Sequence, residues 1–371
     1  MSYRKCFYVL FVPMLTFSFM LNCMDSNSSA KPFRNMVCPS SDENLRNSEG
    51  DIIELKDGRL LLAWSKFIEN TDHATADIAA KFSNDKGRTW GEEFIIQENT
   101  GKQNVMSISF LRLHSGKILF FFLQKNSLSD LQLFVRESTD EAKSWSTPLR
   151  VTQGMGYFIM NNARVIQLKK GRILTPIAYS PDIVKKRKEQ VCFCHYSDDE
   201  GKTWFKGKGH VGVTSSGAME PGLVQRSNGS LMMIIRTSLD RIYKSFSYDR
   251  GDNWTEAVRT DLCSPSAPAT ITRVPDSSDL LLIWNNNPLG NQSTGKKRTP
   301  LTSAISSDGG KTWQNFKNLE NDPDSGYAYT SITFSGKNVL LSYYLWKKRK
   351  PNFSKIDLIF HSIPLKWFYE K

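Results

Sequence analysis

Ser306-Ser307-Asp308-Gly309-Gly310-Lys311-Thr312-Trp313 is one of five copies of an eight-residue pattern, Ser-x-Asp-x-Gly-x-x-Trp. The others begin at Ser83, Ser138, Ser197 and Ser247, and only the second departs, with Ala142 where its relatives carry glycine. The tryptophans, Trp90, Trp145, Trp204, Trp254 and Trp313, recur every 50 to 59 residues. A period of that size means a repeated supersecondary unit that cannot bury its own faces alone. The pattern has a physical reading as a hairpin turn. An Asp carboxylate accepts backbone N–H groups, Gly supplies a positive φ, and Trp packs beside the turn.

A second repeat supports the first. A polar or glycine turn leads into an apolar run at Asp57-Gly58-Arg59-Leu60, Ser115-Gly116-Lys117-Ile118 and Lys170-Gly171-Arg172-Ile173. It returns at Asn228-Gly229-Ser230-Leu231, loosely at Ser278-Asp279-Leu280, and around Ser335-Gly336-Lys337, which makes six copies. Runs such as Leu60 to Trp64, Ile118 to Phe122 and Leu280 to Trp284 are short and bounded by turns, so they read as buried inner strands. No stretch shows a helical apolar period. The expectation is an all-β, six-bladed β-propeller with five box turns, which leaves only short, protected sheet edges.

The chain has 371 residues, and the repeats occupy 45–371, so one propeller is expected over that span. Residues 1–23 differ in kind: Arg4 and Lys5 precede an apolar stretch from Phe7 to Leu21, a signal-peptide pattern too short to span a membrane comfortably. Met20-Leu21-Asn22-Cys23 resembles a relaxed bacterial lipoprotein cleavage box, with 24–44 as a polar tether. Membrane attachment through a lipidated Cys23 and simple cleavage both stay open; either reading exports the chain to the periplasm, the cell surface or the medium. Cys38, Cys192, Cys194 and Cys263 have no metal-site spacing and read as buried thiols, one disulfide staying open. Asp-rich turns suit Ca²⁺, but no spacing demands a metal, and no cofactor is expected.

The formal net charge is +12, yet Lys and Arg are spread through every repeat, mixed with acids, and no nucleic-acid module is present. Nucleic acid is therefore not the expected partner. An exported basic protein suits anionic glycans, and Lys185-Lys186-Arg187-Lys188 is the densest basic run. A monomer is expected.

In a repeated scaffold the residues that break the repeat are informative. Arg46-Asn47-Ser48-Glu49 comes just before the first inner strand, and Asp72-His73 falls in the loop after it. Glu220-Pro221 precedes the fourth, which ends at Arg236; Arg298 and Tyr329 flank the fifth box. Asn161, Asn162 and Arg164 before the third inner strand are weaker candidates for the mouth of a site, as is Trp284-Asn285-Asn286-Asn287.

The boxes, Glu220 with Arg236 sixteen residues on, Arg298, and Tyr329-Thr330-Ser331 together resemble the exo-α-sialidase (neuraminidase) superfamily, in its bacterial branch with box repeats. The resemblance covers Arg46 to the C-terminus. It implies that Arg46, Arg236 and Arg298 bind a substrate carboxylate. It further implies that Asp72 is the acid/base, Glu220 activates the nucleophile, and Tyr329 is that nucleophile. His73 would orient a loop or touch ligand. One departure is visible. The superfamily usually places a glutamate late in the last blade to orient the first arginine, where this chain reads Leu341-Ser342-Tyr343-Tyr344. Glu49 is the expected substitute. The expected function is an exported retaining hydrolase of terminal sialic acid or a related acidic sugar. Two alternatives stand beside it: a uronate-directed enzyme on the same fold, and a non-catalytic glycan-binding surface lipoprotein.

Overall fold

The computed structural model describes residues 1–3, 31–288, 298–347 and 355–370. Met1–Lys31 and Pro32–Lys371 form separate units. The expected signal stretch and Cys23 lie outside the described residues. Among the described residues no helix is long and apolar enough to cross a membrane.

Strand is the dominant secondary structure of the described chain, paired almost entirely antiparallel, with two single-turn 3₁₀ segments, Arg187–Glu189 and Leu365–Phe368. Backbone pairing joins the repeats into four sheets. Two are separate four-stranded meanders, Met219–Gln225 to Val258–Cys263 and Thr270–Arg273 to Gln314–Glu320. A third runs from Asn104–Arg112 through Asp130–Ser138 and on, by a short parallel contact with Gly156–Ile159, to Ile173–Ser180 and Val191–Ser197. In the fourth, the C-terminal strand Lys355–Pro364 lies beside Arg46–Glu54 through the parallel pair Ile356 and Arg46. Within the segment expected as a tether, Phe33–Cys38 is a strand that pairs antiparallel with Lys355–Pro364.

The five box turns share one geometry. The two residues before the closing triplet that ends in Trp both have positive φ: Lys86 and Gly87, Glu141 and Ala142, Glu200 and Gly201, Arg250 and Gly251, Gly309 and Gly310. The box serine accepts the N–H of the second of them, as Gly87 to Ser83 Oγ at 2.8 Å, and donates to the box aspartate. Glycine is required at Gly87 for a second reason, because a Cβ there would meet the Phe360 ring at 2.3 Å. Ala142 nevertheless holds the same left-handed conformation, at φ 63°, its methyl buried among Phe110, Phe120 and Ile118.

The apolar runs read as inner strands are buried, with Leu60–Phe67, Ile118–Ser127 and Leu280–Asn285 each nearly solvent-free. Each, however, is the second strand of its unit. A further strand lies inside each: Arg46–Glu54, Asn104–Arg112 and Thr270–Arg273, and in two other units Met219–Gln225 and Ser325–Ser335 hold the same place. Arg46, Glu220 and Tyr329 are thus on these innermost strands rather than in the turns before the buried runs. The four cysteines of the folded part are free thiols. Cys192 and Cys194 are buried on one face of Val191–Ser197.

Candidate active site

Each of four innermost strands is broken by a β-bulge, and each bulge contains a residue with positive φ: Glu49 (57°), Ser107 (59°), Glu220 (39°) and Tyr329 (57°). A bulge re-aims one side chain while the strand continues. A positive φ in a non-glycine residue is uncommon, costing about 1–3 kcal/mol, and such strain clusters at functional sites. Here all four side chains line one cavity of about 620 Å³. Asp72, His73, Lys125, Arg236, Ser266 and Arg298 line it too.

Tyr329 directs its hydroxyl to Glu220 Oε1 at 3.4 Å, a long contact of the kind that tightens when a substrate is bound. The other Glu220 oxygen is paired with the Arg236 guanidinium, whose Nε donates to Ser266 Oγ at 3.2 Å. Burial alone would raise the Glu220 pKa, but Arg236 and Arg298 outweigh it and hold the carboxyl below its ordinary value, hence ionised. Burial and the Glu220 charge push the Tyr329 phenol well above its ordinary value, so it rests protonated. Arg298 donates to the Tyr344 hydroxyl and to Ser266 O, and its guanidinium carbon sits 5.6 Å from the Tyr329 ring centre. Tyr344 in turn packs against Tyr329 at 5.6 Å between ring centres.

Arg46 is buried and fully engaged. It donates to Glu49 Oε1 at 2.9 Å, to Ser48 Oγ at 2.8 Å and to Asp72 Oδ1, and it lies over the Phe67 ring at 4.4 Å. Desolvation would lower the Arg46 pKa, but its two carboxylate neighbours reverse that and keep it protonated. Glu49 is pushed up by burial, partly offset by Arg46, and its second oxygen accepts Ser107 Oγ at 3.1 Å. The acid expected to stand in for a late glutamate is therefore in contact with Arg46. Asp72 is the exposed member, its side chain 64% accessible. Burial of its surroundings raises its pKa, but Arg46 dominates and holds it below the usual carboxylate value.

His73 lies at the rim, its Nδ1 3.0 Å from Lys125 Nζ, which also donates to the Asp72 carbonyl at 2.8 Å. The fully buried Lys125 was not among the sequence candidates, and neither were Ser107, Ser266 and Tyr344. Ser107 had a usable signal, because it holds in the second unit the bulge position that Glu49 holds in the first. Asn161 lines the cavity, whereas Asn162 and Arg164 are buried beneath it. Asn285 is likewise buried, its amide donating to Tyr327 O at 3.1 Å. Among the described residues no cluster of three or more His, Cys, Asp or Glu side chains has metal-binding geometry.

The model of the BNR repeat-like domain family matches residues 34–340. A sialidase of Bacteroides fragilis is 26% identical over 221 residues, which are 56% of this chain and 38% of the relative. The chain thus spans less than two fifths of that relative's length. Among solved structures, a protein of unknown function from Dyadobacter fermentans matches 90% of this chain and 98% of its own, with TM-score 0.72 and 20% identity. The intramolecular trans-sialidase of Ruminococcus gnavus matches 91% of this chain and 98% of its own, with TM-score 0.69 and 13% identity. These last likenesses are of fold, and the fold of sialidases is a β-propeller.

Proposed function

Because this chain belongs to the family of BNR repeat-like domains, we propose that it is a retaining glycoside hydrolase that removes terminal sialic acid, or a related acidic sugar, from glycans. The observation that carries the reading is the Tyr329 hydroxyl directed at an ionised, arginine-held Glu220 inside a cavity that Asp72 also lines.

A sialic acid carries a carboxylate on its anomeric carbon. Guanidinium groups bind such a group with charge-assisted, partly bidentate hydrogen bonds that lysine reproduces less well. Arg236 and Arg298 flank Glu220 and Tyr329 and supply that recognition, with Arg46 as the third member. In the unliganded protein Asp72 occupies one nitrogen of Arg46, so an arriving carboxylate competes with Asp72 for it. Displaced, Asp72 loses the contact that keeps it ionised, and its raised pKa lets it carry the proton a general acid must deliver.

The same substrate carboxylate repels an anionic nucleophile, which favours a neutral phenol with its own base over a second carboxylate. In the first step the Tyr329 oxygen bonds to the anomeric carbon while its proton passes to Glu220. The bond to the leaving oxygen breaks as Asp72 protonates it. In the second step Asp72 removes a proton from water, whose oxygen replaces Tyr329 on the anomeric carbon, and Glu220 returns its proton to the phenolate. Two inversions leave the configuration retained.

The architecture proposed with this reading is six four-stranded units, the junction of Lys355–Pro364 with Arg46–Glu54 lying between the last and the first. Export is proposed with it, on the apolar stretch Phe7 to Leu21 after Arg4 and Lys5. Release of a fluorophore from an α-ketosidic sialic acid tests the activity, with Tyr329→Phe as the comparison. Turnover by wild type that disappears in the variant is expected. A folded wild type without turnover on this and on sialylated oligosaccharides overturns it.

A further inference from the structure

The bulge at Tyr329 leaves two peptide units without ladder partners. Ala328 pairs with Tyr344 and Ser331 with Ser342, so Tyr329 and Thr330 together face the single residue Tyr343 and neither has a registered partner. Buried carbonyls that lose a ladder partner need another donor. Both find a side chain from a different repeat unit. The Tyr329 carbonyl accepts Asn162 Nδ2 at 2.8 Å, and the Thr330 carbonyl accepts Thr270 Oγ1 at 2.6 Å.

We infer that Asn162 and Thr270 are positioning residues for Tyr329, fixing the direction of its hydroxyl by gripping the two carbonyls of its bulge. The inference rests on the reading of Tyr329 as nucleophile. Asn162 is solvent-free and uses both amide hydrogens, the second on Gly50 O at 2.7 Å. Gly50 follows Glu49 in the bulge of the first unit, where pairing skips from Ser48 to Asp51. One amide therefore ties the bulge that carries Tyr329 to the bulge that carries the partner of Arg46. Its two carbonyl contacts fix which end of the amide is nitrogen. The Oδ1 that remains has no partner among the described residues, an arrangement that packing alone would not favour.

Thr270 is itself held. Its Oγ1 accepts Arg164 Nη1 at 2.9 Å, and Arg164 Nη2 donates to the neighbouring Ala269 carbonyl at 2.9 Å. The hydroxyl proton of Thr270 is thereby directed away from Arg164 and onto Thr330 O. Arg164 is buried and donates to neutral oxygens, with no carboxylate paired to it among the described residues, although a charge so placed is costly to bury. Burial lowers its pKa to about 10, the nearby carboxylates of Glu220 and Asp51 offsetting only part, so it is still charged at neutral pH. Neither Asn162 nor Thr270 lines the cavity, so neither is a ligand-contact residue.

The test compares Thr270→Val, Thr270→Ser and Asn162→Ala with wild type. Two readouts are used: steady-state hydrolysis of the fluorogenic sialoside, and calorimetric titration with free sialic acid for affinity and stoichiometry. Valine keeps the shape of threonine and removes the hydroxyl; serine keeps the hydroxyl. A misdirected nucleophile lowers kcat while substrate binding persists, by about 10- to 10²-fold for an ångström-scale displacement. Thr270→Val should show that fall with KM, affinity and stoichiometry unchanged, and Thr270→Ser should retain wild-type kcat. Unchanged kcat in Thr270→Val overturns the inference. So does a kcat that falls only in proportion to binding stoichiometry, which means lost folded protein. Asn162→Ala should behave as Thr270→Val does, and if it fails to fold the valine and serine pair still decides. A wild type that neither hydrolyses the sialoside nor binds sialic acid overturns the functional reading itself, a result distinct from an active wild type with indifferent variants.

Discussion

The hydroxyl of Tyr329 faces Glu220 Oε1 across 3.4 Å, and both residues have positive φ within β-bulges of innermost strands 109 positions apart. Each bulge re-aims its side chain relative to the regular alternation of a strand. The strain at both residues is thus tied to their meeting.

A phenol and its base that act as one unit should give non-additive losses. Tyr329→Phe and Glu220→Gln should each lower kcat by about 10²–10⁴-fold, and the double variant should be little worse than the worse single one. Steady-state kinetics of the three variants check this. Near-multiplicative losses would mean that the two side chains act independently.

Glu220→Ala should do more than inactivate. It removes the carboxylate from a part-buried Arg236, which keeps its hydrogen bond to Ser266 Oγ. Deleting one partner of a fully buried pair costs about 3–5 kcal/mol; this pair lines the cavity, so a smaller loss is expected. Thermal unfolding should still place Glu220→Ala below Glu220→Gln, which keeps an acceptor. Equal melting temperatures would show that Arg236 is solvated without its partner.

Asp72 should report ligand binding through its protonation. In the free protein the Arg46 contact keeps it below the usual carboxylate value despite the burial around it. A substrate carboxylate on Arg46 removes that contact and adds a like charge, and both changes raise the Asp72 pKa. An acid must be protonated to act, so activity falls as pH rises through its pKa. The alkaline limb of kcat, set by the complex, should consequently lie at higher pH than that of kcat/KM, set by the free enzyme. Coincident limbs would mean that Arg46 and Asp72 stay together when substrate binds.

The parts of the molecule that were legible in the sequence are those whose residue types are fixed by backbone geometry. The box turns favour Ser, Asp and Gly at set offsets, because the serine and aspartate satisfy turn N–H groups and the glycine position has positive φ. Buried runs such as Leu60–Phe67 announced themselves by continuous apolarity. The innermost strands did not. Arg46–Glu54 reads Arg-Asn-Ser-Glu-Gly-Asp before its first isoleucine, and its bulge breaks the alternation that marks a strand. Its polar residues are buried against one another, with Asn47 accepting the Trp64 indole N–H and Glu49 holding Arg46. Lys125 was hidden for a related reason. It sits in an apolar strand as a solvent-free cation, held by a backbone carbonyl and His73 that lie over 50 positions away.

Asp51 should make stability depend on pH in the opposite sense to most carboxylates. It is buried beside the Glu49 bulge, accepting the N–H of Phe110 and of Ile52, each at 2.8 Å. Burial raises its pKa from 3.8 to about 7, the two N–H groups and Arg164 offsetting only part. Between those values the folded state binds the proton and the unfolded state does not, so the contribution of this group to stability falls as pH rises. It is largest below pH 4, declines to about pH 7 and is constant above, with a span of about 4 kcal/mol at most. Asp51→Asn, which does not titrate, should lose less stability than wild type between pH 4.5 and 7.5 on denaturant unfolding. Parallel curves would show that Asp51 stays ionised in the fold.

The box aspartates should matter to stability and not to chemistry. Asp308 accepts the N–H groups of Lys311 and Thr312 at 3.0 and 2.9 Å, and the hydroxyls of Ser306 and Thr312. Burial is the largest single influence and opposes its ionisation, but those donors together outweigh it and hold its pKa far below the ordinary value. A depressed carboxyl stabilises the fold above its unfolded pKa and ceases to as pH falls through the folded one, so this turn should survive mild acid. Asp308→Ala removes the acceptor of four donor groups at a partly exposed turn, where water re-solvates the freed N–H groups. The cost should be about 1–2 kcal/mol rather than the sum of those bonds. At this chain length that lowers the melting temperature by a few degrees. Asp308 does not line the cavity, so kcat and KM should be those of wild type. A variant that melts normally yet loses activity would move the box from scaffold to site.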